Sequence, residues 1–182
     1  MEIGKTLYFK DRDKWRSWLA KNHDKASEIW LITYKKHTGK PSVPYNDAVE
    51  EALCYGWIDS IVKRVDDDRT AQRYTPRRPK SQLSETNKER IRRLIDQGKM
   101  TRAGLEKIKD KMDEEIQVAS DISKALKKDP TVWKNFQDFP DSYKRVRVGW
   151  IEGARNRPEV FKTRLNYFVK MTAKNKTYGM VR

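Results

Sequence analysis

The chain has 182 residues, 37% charged and 36% hydrophobic, with a formal net charge of +15 and a mean hydropathy of −0.99. Six Trp, eight Tyr and five Phe supply the apolar surface for a folded core and exclude wholesale disorder. No run approaches the ~18 apolar residues of a membrane-spanning helix, and the single Cys54 excludes an internal disulfide or a cysteine-rich metal site.

The opening MEIGKTLYFKDRDKW has neither the apolar core nor the small-residue cleavage site of a secretory leader, so a cytoplasmic location is expected. Asp11 can cap a first helix in which Trp15, Trp18 and Leu19 share a face and Asn22-His23 suit the end. EIWLITYKK (28–36) is the best strand, aromatic and β-branched, and its apolar residues on both faces predict cover on both sides. HTGKPSVPY reads as a loop. Asn46 then caps a helix with Ala48, Val49, Ala52 and Leu53 on its apolar face, stopped by Gly56 in the left-handed region.

WIDSIVKRV (57–65) and TAQRYT (70–75) flank DDDR and read as a hairpin with a solvated acidic turn; Pro76 and Pro79 end the second strand. From Ser84 the pattern is helical, with Ile91, Leu94 and Ile95 in a stripe and Gly98 as the stop. Thr101 caps the next helix, with Leu105, Ile108 and Met112 at helical spacing. DEEIQVASD (113–121) is the best boundary. Short helices set off by prolines follow: ISKALKK, one opened by Asp129-Pro130, one after Pro140, and one opened by Pro158 with Phe161, Leu165, Phe168, Val169 and Thr172 on one face. The tail KNKTYGMVR is expected to fray. The predicted fold class is α+β: a small antiparallel sheet packed by helices over 1–112, then a helical C-terminal half over 113–182.

Catalytic chemistry finds little support. His23 and His37 have no metal-ligand spacing, Cys54 has no base beside it in sequence, and there is no P-loop, G-x-G-x-x-G or G-x-S-x-G. No cofactor is expected, and the residues favour a binding protein over an enzyme.

The segment from Glu51 to Asn87 stands out. It sets Tyr55 and Trp57 around a glycine, then Asp59, then Arg73, Arg77 and Arg78. In the structural reading Asp59 pairs with one of these arginines and fixes the hairpin. In the ligand reading the arginines take an anion, Tyr55 or Trp57 stacks on it, and Asp59 orients one arginine.

Charge is unevenly spread: residues 1–60 hold 10 Lys/Arg against 9 Asp/Glu, 61–112 hold 16 against 8, and 113–182 hold 15 against 9. The partner expected is a small anionic ligand or a protein, with nucleic acid bound through 61–112 and 144–164 as the alternative. A stripe of Lys88, Arg92 and Lys99 could track phosphates, although Glu85, Glu89 and Asp96 are interleaved with it.

IWLITYKKHTGKPSVPYNDAVEEALCYGWIDS, then RYTPRRPKS, Asn87 and LIDQGKMTRAGL, with FPDSYKRVRVGWIEGA and RPEVFKTRLNYFV further on, resembles the YdeI/OmpD-associated (bacteriocin-protection, OmdA-type) family from about Trp15 to Lys170. Leu83-Ser84 departs from the tryptophan-serine pair expected after PKS, as does DSYKR from an arginine-rich entry to its helix. The family has no settled biochemical activity. Its name ties it to bacteriocin tolerance and an outer-membrane porin, but a +15 chain repels a cationic peptide. The resemblance adds Thr75 and Asn87 to the ligand site, which becomes Tyr55, Trp57, Asp59, Arg73, Thr75, Arg77, Arg78 and Asn87.

Overall fold

The computed structural model describes residues 2–79, 81–109, 112 and 118–179. The chain forms two compact units, Met1–Ser81 with Ile91–Met112, and Gln82–Arg90 with Asp113–Arg182.

In the first unit, β1 (Thr6–Tyr8), α1 (Arg12–Asn22) and β2 (Ile29–Tyr34) make a β-α-β crossover, with Leu7 opposite Leu31 in a parallel pair. Asp11 caps α1 as expected, its Oδ1 accepting from the Lys14 N–H at 2.9 Å. After a short 3-10 turn come α2 (Tyr45–Cys54), β3 (Trp57–Arg64) and β4 (Arg69–Pro76), giving the strand order β1-β2-β4-β3. The fold class is α+β. The sheet is nonetheless mixed, because the three-residue β1 adds a parallel edge strand to the three antiparallel ones expected. A strand that short carries no periodic signal of its own.

Both faces of β2 are covered. On one side Trp15, Leu19, Trp57 and Tyr74 are all at most 1% exposed, with the Trp15 ring 5.4 Å from both Trp18 and Tyr74. On the other, Trp30, Ile32 and Ala71 pack with Ile3, Tyr8 and Tyr34.

Gly56 has φ +74 just past α2, and its N–H donates to the Leu53 carbonyl at 3.0 Å, the left-handed stop expected. Asn46 does not cap α2. The helix starts one residue earlier, and the Pro44 carbonyl accepts its first bond, from Ala48, at 2.9 Å. α3 (Glu85–Asp96) has Ile91 and Leu94 fully buried and Gly98 at φ +63, but Ile95 is 44% exposed, outside the stripe assigned to it. Thr101 caps α4 (Arg102–Glu106), which is too short to line up Leu105, Ile108 and Met112: Leu105 is exposed and Ile108 buried.

In the second unit, α5 (Ser120–Lys127), α6 (Pro130–Asp138), α7 (Asp141–Glu152) and α8 (Pro158–Ala173) enclose Ile122, Leu126, Phe136, Tyr143, Ile151 and Phe168. Asp129 caps α6 as expected, accepting from the Thr131 N–H at 2.7 Å. Along α8, Phe168 and Thr172 are buried, and Phe161, Leu165 and Val169 pack against the same core. The boundary expected at 113–121 falls largely outside the described residues. Of the tail expected to fray, 180–182 lie outside the described residues, while within 174–179 Tyr178 docks: its N–H donates to the Tyr143 Oη at 3.3 Å and its ring meets Tyr167 at 4.8 Å. An aromatic side chain near a chain end recovers through burial what the free end loses in entropy.

Candidate functional site

The two halves of the 51–87 segment meet in space. Trp57 pairs with Pro76 across the hairpin, and the Arg77 N–H donates to the Gly56 carbonyl at 2.9 Å. The glycine turn after α2 and the arginines after β4 therefore form one junction. Arg77 is 3% exposed, with its Nη2 3.3 Å from the Ser81 carbonyl, and burial pulls its guanidinium below the usual arginine value. Arg78 beside it is exposed, and its carbonyl accepts from the Ser81 hydroxyl at 2.8 Å.

The aromatics are set inward. Trp57 is 1% exposed and donates its indole N–H to the His23 carbonyl at 3.0 Å, with its ring edge-on to Trp18. It offers no ring face to solvent. Tyr55 is half-buried between the His23 ring, at 5.3 Å, and the Arg16 guanidinium, at 5.5 Å; burial raises its phenol.

Asp59 does not meet an arginine among the described residues. Its carboxylate accepts from the Tyr45 hydroxyl at 2.8 Å. Asp59 stands opposite Tyr74, and the next pair is Val62 with Gln72, so a bulge at Ser60 and Ile61 faces Arg73. Side chains alternate, which puts Asp59 on the Tyr74 face and Arg73 on the other. There Arg73 stands beside Trp30 and holds Glu28, with Nε and Nη2 at 2.8 and 2.6 Å from Oε2. Thr75 is half-buried opposite Ile58. Asn87 belongs to the second unit, where its Oδ1 accepts from Arg90 at 2.8 Å.

The Arg73 hydrogen bonds hold the Glu28 carboxyl below its ordinary value. A lowered acid contributes its full stability above the ordinary glutamate pKa and loses it as the pH falls through the lowered one. Arg73→Gln is therefore expected to flatten the acid limb of thermal stability between about pH 7 and about pH 3, by roughly 1 kcal/mol or less because the pair is partly solvated. An unchanged acid limb in urea or heat denaturation would remove the pair from the stability profile.

A buried ion network escaped sequence reading. Glu51 is 2% exposed and receives Arg12, and also Arg16 at 2.6 Å, while Glu50 receives Arg93 and lies 3.2 Å from Arg12. Against burial, which lowers it, Glu51 and its acidic neighbours hold Arg12 above the usual arginine value. Glu50 and Glu51 follow two apolar residues on an amphipathic helix, and that placement was the only available signal. Burial raises the Cys54 thiol, and the Thr101 hydroxyl caps the Cys54 carbonyl at 2.6 Å. A protonated, enclosed thiol is a packing group rather than a nucleophile. The acidic hairpin turn is closed internally: Asp66 accepts from the Asp68 and Arg69 N–H groups at 3.0 and 2.7 Å and pairs with the Arg69 side chain.

With this geometry in view, two family models align. Residues 7–107 match a domain of unknown function (DUF8412), and residues 115–175 match the model described as bacteriocin-protection, YdeI or OmpD-associated. The chain belongs to the DUF8412 family and carries a YdeI/OmpD-associated C-terminal segment. No curated protein and no solved structure matches. The YGWIDS and TPRRPKS motifs thus lie in the DUF8412 span, whereas the YdeI/OmpD-associated segment holds α5 to α8. No described helix is long and apolar enough to cross a membrane.

Proposed function

We propose that this DUF8412 and YdeI/OmpD-associated protein is a binding protein that takes a small anion at the Gly56–Arg77 junction and acts in stress or antimicrobial tolerance. The carrying observation is the desolvation of Arg77: the fold encloses a guanidinium at a cost that lowers its pKa. A bound oxyanion offsets such a cost through charge-assisted hydrogen bonds. Exposed Arg78 adds positive potential at the entrance. The tolerance role rests on the bacteriocin-protection description of the segment matched at 115–175.

Ion pairing supports a small anion over nucleic acid. Lys88, meant to head a basic stripe, is 3% exposed and bonded to Glu85 at 2.9 Å. Arg69, Arg73, Arg145 and Arg155 are likewise held by Asp66, Glu28, Glu89 and Asp121. Paired cations release fewer counterions on meeting phosphates.

Arg77→Ala is expected to weaken phosphate or sulfate binding by ~1.5–3 kcal/mol, measured by calorimetry. Arg78→Ala, at an exposed position, should fold normally and lose about 1 kcal/mol or less. Equal affinity in wild type and Arg77→Ala overturns the site. An oligonucleotide bound at ~50 mM salt and released at ~200 mM moves the assignment to nucleic acid.

A further inference from the structure

Helix α7 buries an arginine in a setting unlike the paired ones above. Arg147 is 8% exposed, and none of the ion pairs among the described residues involves it. Its Nε is shut away from solvent without a hydrogen-bond acceptor among the described residues. Three aromatic rings surround the guanidinium carbon: Tyr178 at 4.8 Å, Tyr143 at 5.7 Å and Trp150 at 5.8 Å from their centroids. The Tyr178 Oη is also buried and, apart from the Arg147 guanidinium that interacts with it, has no hydrogen-bond partner among the described residues. Burial pushes that phenol up to about 12, so it remains a hydroxyl donor.

The chain passes very close to the charge. At Gly179, φ is +80, and a Cβ would stand 2.7 and 2.8 Å from the two terminal nitrogens of Arg147. The left-handed φ favours glycine, whose bare backbone lies directly against the guanidinium. The Lys174–Gly179 segment is exposed except at Tyr178, which holds it to the bundle through the Tyr143 hydroxyl and the ring contacts.

An arginine cannot shed its proton to escape burial. The surrounding rings recover part of the desolvation cost through their quadrupoles. The Tyr178 oxygen leans on the guanidinium, but among the described residues no carboxylate reaches Arg147, and the Arg147 Nε–H and the Tyr178 O–H both lack an acceptor. A carboxylate suits the spot better than a phosphate. It brings one charge for one guanidinium, is planar like its partner, and leaves an apolar body to lie against the rings. Arg164, 4.5 Å from the Trp150 centroid, brings a second positive charge to the same ring.

We propose that Arg147 and Tyr178 form a carboxylate-binding site in the second unit, walled by Tyr143 and Trp150 and roofed by the segment that ends at Gly179. The ligand is a monocarboxylate with an apolar or aromatic body. Lifting the roof admits it, and its oxygens accept from the two donors. The site lies in a different unit from the Gly56–Arg77 junction, so either can fail without the other.

The test follows the arginine Nε–H resonances of the full chain by NMR while sodium benzoate is added at constant ionic strength, with inorganic phosphate and chloride as parallel titrants. The resonance that disappears in Arg147→Met is expected to shift saturably with benzoate and little with chloride. Arg147→Met should weaken benzoate binding about tenfold or more, and Tyr178→Phe about fivefold. Arg102→Gln, at an exposed position in the first unit, should leave it unchanged. An unmoved Arg147 resonance, a phosphate response larger than that to benzoate, or benzoate binding lost in Arg77→Ala but kept in Arg147→Met overturns the proposal. Should Arg147→Met not fold, Tyr178→Phe decides it: unchanged benzoate affinity there removes the second donor and the site with it.

Discussion

Glu51→Ala is expected to lower the unfolding free energy by about 3 kcal/mol, near the low end for breaking a buried ion pair. The carboxylate is 2% exposed and is the meeting point of Arg12 and Arg16, so its removal opens a cavity, takes the counter-charge from Arg16 and leaves Arg12 with only Glu50 and Asp47. The partners are 27% and 33% exposed, and water reaching them tempers the loss. Chemical denaturation should show a lower midpoint with an unchanged slope. A loss below about 1 kcal/mol would mean that the network behaves as a surface one. Because Glu51 lies three residues before Cys54 on α2, the same substitution should also loosen the glycine turn that carries the candidate site. That effect would register as weaker anion binding beyond the loss of stability.

The second large effect is expected at Gly104. A Cβ there would stand 2.2 Å from the Cys54 carbonyl oxygen and 3.0 Å from that of Leu53, both backbone atoms that cannot swing aside. The close approach exists because α4 caps the end of α2: the Thr101 N–H and hydroxyl both donate to the Cys54 carbonyl, at 3.2 and 2.6 Å. Gly104→Ala must push the two helices apart and is expected to cost about 3 kcal/mol. Gly98→Ala is the control. It has φ +63 but nothing within 4 Å, so only backbone strain of about 1–2 kcal/mol is expected. A loss at Gly104 no larger than that at Gly98 would show that the facing end of α2 yields to the added methyl at little cost.

Gly98 was legible in the sequence and the role of Gly104 was not. A glycine after a run of helix formers announces a left-handed stop from its neighbours alone. A glycine inside a helix announces nothing until the facing backbone is known. The candidate site divides in the same way. The grouping of Tyr55, Trp57, Arg77 and Arg78 could be read from a helix stop followed by a hairpin, because a hairpin returns its second strand to its origin. The partners of Asp59 and Arg73 could not, because the bulge at Ser60 and Ile61 sets the register between them, and no local pattern marks it.

Charge alone was a poor guide to surface. The excess of +15 is a property of composition, yet Lys88, Arg77 and Arg147 are all at most 8% exposed. Whether a cation faces water depends on which acids and rings the fold brings to it, and those come from positions far along the chain: Glu28 for Arg73, Glu89 for Arg145, Tyr178 for Arg147.

Local chemistry in the sequence therefore decided the caps at Asp11, Thr101 and Asp129, the stops at Gly56 and Gly98, the strand at residues 29–34 and the α+β class. Each depends on residues within a turn or two, whose dihedral preferences and hydrogen bonds act before any long-range contact forms. The tertiary structure alone decided that β1 joins the sheet, that Asp59 and Arg73 part to opposite faces, that Glu51 is enclosed, and that Tyr178 closes over Arg147. Those outcomes rest on register and burial, which are set by contacts between residues distant in sequence and so cannot be read from neighbours.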